Sequence, residues 1–251
     1  DKIPILREVS VHIPEKAMTA IIGPSGSGKS TMCSLISRFW DVDQGSISIG
    51  DVNIKNYTLE SLMDLISTVF QNVYLFQDTI ENNIKFGKPQ AKKEEVIEVA
   101  KKAQCHDFIM NLPEGYQTII GEGGTSLSGG ERQRISIARA MIKNAPIIIF
   151  DEATANVDPE NEDKLQQAIE SLTKNKTVIM VAHRLKTVKN SNQIIVLKDG
   201  KLEEVGKHED LIRKEGTYKK FIEAREETES WKIKQNKEDF NEESINSKGF
   251  N

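Results

Sequence analysis

From residue 23 to residue 31 the chain reads Gly23-Pro24-Ser25-Gly26-Ser27-Gly28-Lys29-Ser30-Thr31, which satisfies the spacing G-x-x-x-x-G-K-[ST]. Residues of these types at this spacing can hold a chain of phosphates. The glycines let backbone N–H groups curl around the anion, Lys29 brings a point charge to the β- and γ-phosphates, and the Ser30 hydroxyl is a ligand for Mg²⁺. Ser25, Ser27 and Thr31 add hydroxyls around the same loop. A Gly-Ser turn that happens to precede a lysine is the plain alternative, but a chance match to the whole spacing in a chain of this length has a probability of about 1%.

A second set follows an apolar run. Ile147-Ile148-Ile149-Phe150 ends in Asp151-Glu152, which delivers both carboxylates to the C-terminal edge of a buried strand. In open α/β sheets ligands bind at that edge. Asp151 is suited to hold Mg²⁺ through water, and Glu152 to orient and deprotonate an attacking water. Acids at a loop start are common and alone mean little. Beside a phosphate loop they point to phosphoryl transfer to water, in which positioning and electrostatics carry most of the rate. A third feature, Ser128-Gly129-Gly130, opens a helical run that continues through Ile142. Ser128 is an N-cap hydroxyl, and the glycines leave the helix N-terminus bare for a second anion. Taken alone, that triplet describes a capped helix and no more.

The elements that must position these residues are legible in outline. Short β-branched runs at Thr19–Ile22, at Val69–Phe70 after Ile66, at Ile147–Phe150 and at Thr177–Val181 suit strands buried on both faces of a parallel sheet. Helical patterns at Lys29–Phe39, Lys93–Ala103, Gly130–Ile142 and Glu160–Leu172 lie between them, so an α/β layer is expected. Period-two patterning at Ile3–Ile13 and Ser46–Ile54 predicts antiparallel strands at one side. Gln193–Leu197, Asp199-Gly200 and Lys201–Val205 predict a hairpin with a type I′ turn. From about Thr79 to Leu127 the pattern is mainly helical, and from about Glu226 onward too few apolar residues remain to offset ordering entropy, so a disordered tail is expected.

Composition bounds the rest. The 251 residues carry 34 Lys+Arg against 38 Asp+Glu, a net charge of −4 that gives no bulk electrostatic reason to bind nucleic acid. No nucleic-acid partner is therefore expected. Cys33 and Cys105 are too few for a disulfide framework or a four-ligand zinc site, and fit packing residues of a reducing compartment. No apolar run is long enough to span a bilayer. The start, Asp1-Lys2-Ile3-Pro4, has neither an initiator Met nor a leader and reads as a cut end.

The string from Leu127 to Arg134, Leu-Ser-Gly-Gly-Glu-Arg-Gln-Arg, stands just ahead of the Ile147–Phe150 run and resembles the signature of ATP-binding cassette (ABC) ATPases. The resemblance covers about residues 1–225. It implies an α/β fold, the P-loop NTPase core of an ABC ATPase with an antiparallel β subdomain and an inserted helical subdomain at about 79–143, with 226–251 as a tail. Gln71, directly after Val69-Phe70, matches the Q-loop glutamine that contacts Mg²⁺ and the attacking water and senses the transport domain. His183, after Val178–Ala182, matches the switch histidine that touches the γ-phosphate and orients Glu152, and Asp158 matches the D-loop aspartate of the dimer interface. The catalytic set implied is Glu152, His183, Lys29 and Gln71, with Mg²⁺ on Ser30, Gln71 and, through water, Asp151. Two such cassettes pair head to tail as a homodimer or heterodimer. Ser128, Gly129 and Gly130 then serve the partner's ATP in trans.

Two departures stand out. The family places an aromatic residue upstream of the phosphate loop to stack on adenine, yet residues 1–22 hold no Phe, Tyr or Trp, so that residue is expected just before Asp1. The D-loop reads Asn156-Val157-Asp158 where Ala-Leu-Asp is usual. The run from Val73 to Ile84 and Ile120-Gly121-Glu122-Gly123-Gly124 resemble the exporter-type segment after the Q-loop and the exporter X-loop. They imply a cassette attached to a transmembrane domain missing from this chain, at the cytoplasmic face of the cell membrane. Arg38-Phe39-Trp40-Asp41-Val42-Asp43 also resembles exporter-architecture importers of iron chelates, which keeps direction open. The rival class, chromosome-type ABC ATPases, separates phosphate loop and signature by long coiled coils, whereas here 128 − 29 = 99 positions separate Ser128 from Lys29.

Overall fold

A computed structural model describes residues 4–70, 72–124, 126–151, 159–182 and 184–228. Along the chain, β1 (Met18–Ile22) leads into α1 (Lys29–Ile36), followed by the short strands β2 (Ser48–Ile49) and β3 (Val52–Asn53). Helix α2 (Leu59–Leu65) precedes β4 (Ile66–Phe70). Helices α3 (Ile80–Lys85), α4 (Lys93–Lys102), α5 (His106–Met110) and α6 (Gly129–Lys143) then occupy the chain before β5 (Ile147–Asp151). The remainder is α7 (Pro159–Thr173), β6 (Thr177–Val181), α8 (Leu185–Lys189), β7 (Gln193–Lys198), β8 (Lys201–Gly206), α9 (His208–Leu211) and a last helix, α10, over residues 217–228.

The main sheet has the order β4-β5-β6-β1-β7-β8, parallel throughout except for the antiparallel β7–β8 pair, and β2–β3 form a separate antiparallel pair. The expected α/β core with an antiparallel addition is therefore present. Alternate residues of each central strand enter opposite cores. Ala20, Ile22, Ile148 and Phe150 face a cluster built with α6 and α7, while Ile21, Ile149 and Ile195 face one built with Met32, Cys33 and Ile36 of α1. This two-sided burial explains why the strands read as continuous apolar runs.

Local chemistry ends the elements. Asp199 (φ 49°) and Gly200 (φ 75°) give the consecutive positive φ angles of the expected type I′ hairpin. Helix α4 carries Glu94 and Glu95 in its first turn and Lys101 and Lys102 in its last, complementing the helix dipole at both ends. Helix α1 stops at Ile36, short of the expected Phe39, because Arg38 turns left-handed (φ 54°). Its guanidinium is spent on the carbonyls of Ile54 and Tyr57, at 3.1 and 3.0 Å.

The expected N-terminal strand is corrected. Leu6, Val9, Val11 and Ile13 do pack on the core, so the alternation reports a real inward face. Residues 4–13 nevertheless form no ladder, since Glu8 and Lys16 take positive φ (52° each) and Pro4 and Pro14 have no N–H to pair. One backbone bond, Arg7 N–H to Gly200 O at 2.7 Å, ties the segment to the β7–β8 turn. The expected tail begins inside α10, and residues 229–251 lie outside the described residues.

Candidate active site

Two glycines of the phosphate loop, Gly23 and Gly28, take positive φ where an added Cβ would meet a neighbour. Gly23 (φ 150°) leaves β1 with its α-carbon so close to β7 that an added Cβ would lie 2.0 Å from Leu197 O. Gly28 (φ 98°) is the N-cap of α1 and bears no side chain to cap it, so the first amides of α1 are left without a side-chain acceptor. Lys29 is buried, and its Nζ donates to Gly23 O at 3.0 Å and Pro24 O at 2.9 Å, which fixes the ammonium against the loop. Ser25, Gly26 and Ser30 are exposed and Thr31 is half-buried, whereas Ser27 is buried and its Oγ has no hydrogen-bond partner among the described residues.

The strand register brings the other residues to the same edge. Phe70 is opposite Asp151, and Asp151 is opposite Val181, so β4, β5 and β6 finish level with one another. Ile21 of β1 is in register with Val181, and the loop at Gly23 emerges at this edge. Ser30 Oγ donates to Asp151 Oδ1 at 3.0 Å, joining the first turn of α1 to the end of β5. The hydroxyl and carboxylate reading of the sequence, residues 121 positions apart, thus meets at one point.

Ser128 is the N-cap of α6, with its Oγ accepting the Glu131 N–H at 3.3 Å and Glu131 Oε2 accepting the Ser128 N–H at 2.8 Å. This is a closed capping box. Ser128 and Gly129 are exposed and Gly130 is buried. Sequence reasoning missed what α6 does further along. Arg139 donates from Nε to Asn83 O (2.9 Å), from Nη2 to Asn83 Oδ1 (3.0 Å) and from Nη1 to Tyr74 O (3.2 Å). Asn83 in turn accepts the Phe76 N–H at 2.9 Å and donates to Phe76 O at 3.0 Å. The segment that follows Gln71 is therefore pinned to the same helix that carries Ser128. An asparagine inside a short helix, where it is a poor helix former, was the available signal.

Comparison with known proteins decides the family. The ABC transporter family model matches residues 6–155. The chain belongs to the ABC transporter family. An ATP-dependent lipid A-core flippase of Syntrophus aciditrophicus is 49% identical over 221 residues, covering 88% of this chain and 37% of that protein. A Staphylococcus aureus chain named for multidrug export as an ATP-binding/permease protein is 48% identical over 215 residues, covering 86% and 37%. Among solved structures, a bacterial Atm1-family ABC exporter with ATP bound superposes with a TM-score of 0.83 at 42% identity, over 88% of this chain and 39% of that one. This ABC nucleotide-binding domain thus spans little more than a third of the length of these relatives.

Within the ABC domain, Gln71, Glu152, Asp158 and His183 lie outside the described residues. The described residues that precede three of them, Phe70, Asp151 and Ala182, stand at the ends of β4, β5 and β6 or one position beyond. Cys33 is buried behind the phosphate loop, and burial together with the nearby Asp151 charge pushes its thiol up to about 12. Burial alone dominates at Cys105, also pushed up to about 12. Both act as apolar packing groups. His106 and His208 pair through Nδ1 with Tyr116 and Tyr218 hydroxyls at 2.8 and 2.6 Å, which makes both structural.

Proposed function

We propose that this chain is the ATP-hydrolysing cassette of an exporter-type ABC transporter, pairing head to tail with a second cassette so that closure over ATP drives alternating access in a membrane domain. The observation that carries the reading is the 3.0 Å bond between Ser30 Oγ and Asp151 Oδ1, which unites the phosphate loop with the carboxylate edge. Hydroxyl and carboxylate oxygens are hard donors of the kind Mg²⁺ takes alongside phosphate and water. Bound there with Gln71, Mg²⁺ would neutralise charge on the phosphates.

The chain's own groups divide the remaining work. Lys29, now on the Gly23 and Pro24 carbonyls, is placed to exchange those acceptors for phosphate oxygens above the bare N-terminus of α1. Glu152 takes a proton from the attacking water as its oxygen bonds to the γ-phosphorus and the bond to the leaving ADP oxygen breaks. His183 orients Glu152 and the γ-phosphate. Ser128, Gly129 and Gly130 close over the partner's ATP, and Asp158 meets the partner across the interface. The exposed aromatic cluster of Tyr74, Phe76 and Phe86, with ring centroids 5.4 and 4.6 Å apart, gives the membrane domain an apolar contact. Among the described residues no helix is long and apolar enough to cross a membrane. On this reading the cassette meets the membrane through the membrane domain, at its cytoplasmic face.

Steady-state phosphate release from Mg²⁺-ATP, followed against protein concentration, tests the reading. Specific activity is expected to rise with concentration, and Glu152→Gln to abolish turnover while retaining ATP. Near-normal hydrolysis by that variant would remove Glu152 from the role of general base.

A further inference from the structure

Glu131 turns its carboxylate back onto the end of the helix it belongs to, with Oε2 on the Ser128 N–H at 2.8 Å. Of the four terminal donors, the Ser128 N–H is thus taken by Glu131 and the Glu131 N–H by Ser128 Oγ, and the first helical bond runs from Arg132 N–H to Ser128 O at 3.0 Å. The Gly129 and Gly130 N–H groups have no acceptor within the helix. Among the described residues Glu131 makes no ion pair that would neutralise it. A carboxylate therefore stands at the helix end which, on the function proposed above, must accept the γ-phosphate of the partner's ATP.

The same charge has opposite effects in the two states of the cassette. In the separate cassette a carboxylate at a helix N-terminus is stabilising, because it meets the positive end of the dipole. On closure a second anion is brought to that end, water leaves, and like charges repel more strongly as the dielectric falls. We propose that Glu131 is an electrostatic brake on cassette pairing: its charge weakens ATP-driven closure at the signature helix, while its bond to Ser128 N–H keeps that helix end in shape. The inference rests on the reading that Ser128 and Gly130 face the partner's ATP.

Glu131→Gln separates the two roles, since a glutamine oxygen still accepts the Ser128 N–H in a capping box but carries no charge. Monomer–dimer equilibria of the chain carrying Glu152→Gln would be measured by sedimentation in Mg²⁺-ATP, with and without Glu131→Gln, alongside thermal unfolding without nucleotide. The dimer dissociation constant is expected to fall about three- to tenfold on Glu131→Gln, from one relieved charge contact at each of the paired helix ends. That gain should shrink as salt rises from about 0.05 to about 0.5 M, and the unfolding midpoint without nucleotide should stay level or drop slightly. Equal or weaker pairing, or a gain indifferent to salt, overturns the brake and leaves the sandwich standing. Failure of both proteins to pair in ATP overturns the sandwich reading, and the brake with it.

Discussion

Arg139 grips Asn83 twice, through Nε to the backbone oxygen at 2.9 Å and through Nη2 to Oδ1 at 3.0 Å. The guanidinium also lies 5.6 Å from the centroids of both Phe76 and Phe86. Helix α6 thus begins at Ser128, which on the proposed function reads the partner's nucleotide, and ends by fixing the chain that leaves Gln71. A shift at either end has a rigid helix through which to reach the other.

Removing the guanidinium should therefore loosen both the fold and the link. Arg139→Ala takes the guanidinium donor from Asn83 O and Tyr74 O and leaves Asn83 Oδ1 with the Phe76 N–H, at a cost of about 3 kcal/mol in a urea melt. Arg139→Lys should recover little of that, because an ammonium cannot span the same acceptors in one plane. Asn83→Ala combined with Arg139→Ala should cost clearly less than the sum of the single changes. Strict additivity would show that the pair does not act as a unit.

The glycines of the phosphate loop should differ sharply in tolerance. An alanine at Gly23 places its Cβ 2.0 Å from Leu197 O in a backbone conformation L residues avoid, whereas at Gly26 (φ 76°) nothing lies within 4 Å of the added atom. Gly23→Ala is expected to destabilise by about 3 kcal/mol and lose ATP binding, and Gly26→Ala to cost about 1 kcal/mol of backbone strain. Chemical denaturation with fluorescent-nucleotide titration on each variant measures both effects. Equal losses at the two positions would mean that conformation, not the β7 contact, sets the requirement.

What was legible in the residues, and what was not, follows from range. The runs at Ile147–Phe150 and Thr177–Val181 carry their own environment, because a strand buried on both faces must be apolar at every position, and the observed strands match them closely. Asp199-Gly200 likewise states its turn locally. The segment 4–13 forms no strand despite its alternation, because alternation records which side faces the core and says nothing about whether a neighbouring backbone is available to pair. The Ser30–Asp151 meeting followed from the strand-end rule, since both motifs abut strands of one sheet. The Arg139–Asn83 contact joins positions on two helices with no shared pattern, and only folding brings them together.

The thiols give a prediction with a definite sign. Cys33 and Cys105 are held at about 12 against an ordinary 9.0, so both are protonated at neutral pH and shielded. An aromatic disulfide reagent at pH 8 should label neither in the folded chain and both in denaturant. Between pH 9 and about 12 the unfolded chain releases these protons while the folded chain keeps them, so stability must fall as pH rises through that window. Replacing each cysteine by alanine or serine in turn should flatten that alkaline loss. Fast labelling of Cys33 in the native chain would show that α1 opens away from the sheet.

Asp151 is the residue at which metal and nucleotide effects can be parted. Its Oδ1 is 3.0 Å from Ser30 Oγ, so Asp151→Asn preserves an acceptor for that hydroxyl while removing the charge that favours a divalent ion. On the proposed function, ATP titrated in excess chelator should bind Asp151→Asn about as well as the unchanged chain, because the loop glycines and Lys29 remain. With Mg²⁺ present the unchanged chain should gain affinity and turn over, while Asp151→Asn gains little and hydrolyses at least about a hundredfold more slowly, the scale expected when a metal no longer offsets developing phosphate charge. Adding chelator to the unchanged chain should reproduce the variant's rate. If Asp151→Asn instead responds to Mg²⁺ as the unchanged chain does, the metal is held without this carboxylate, and the bond to Ser30 serves only to lock α1 onto the end of β5.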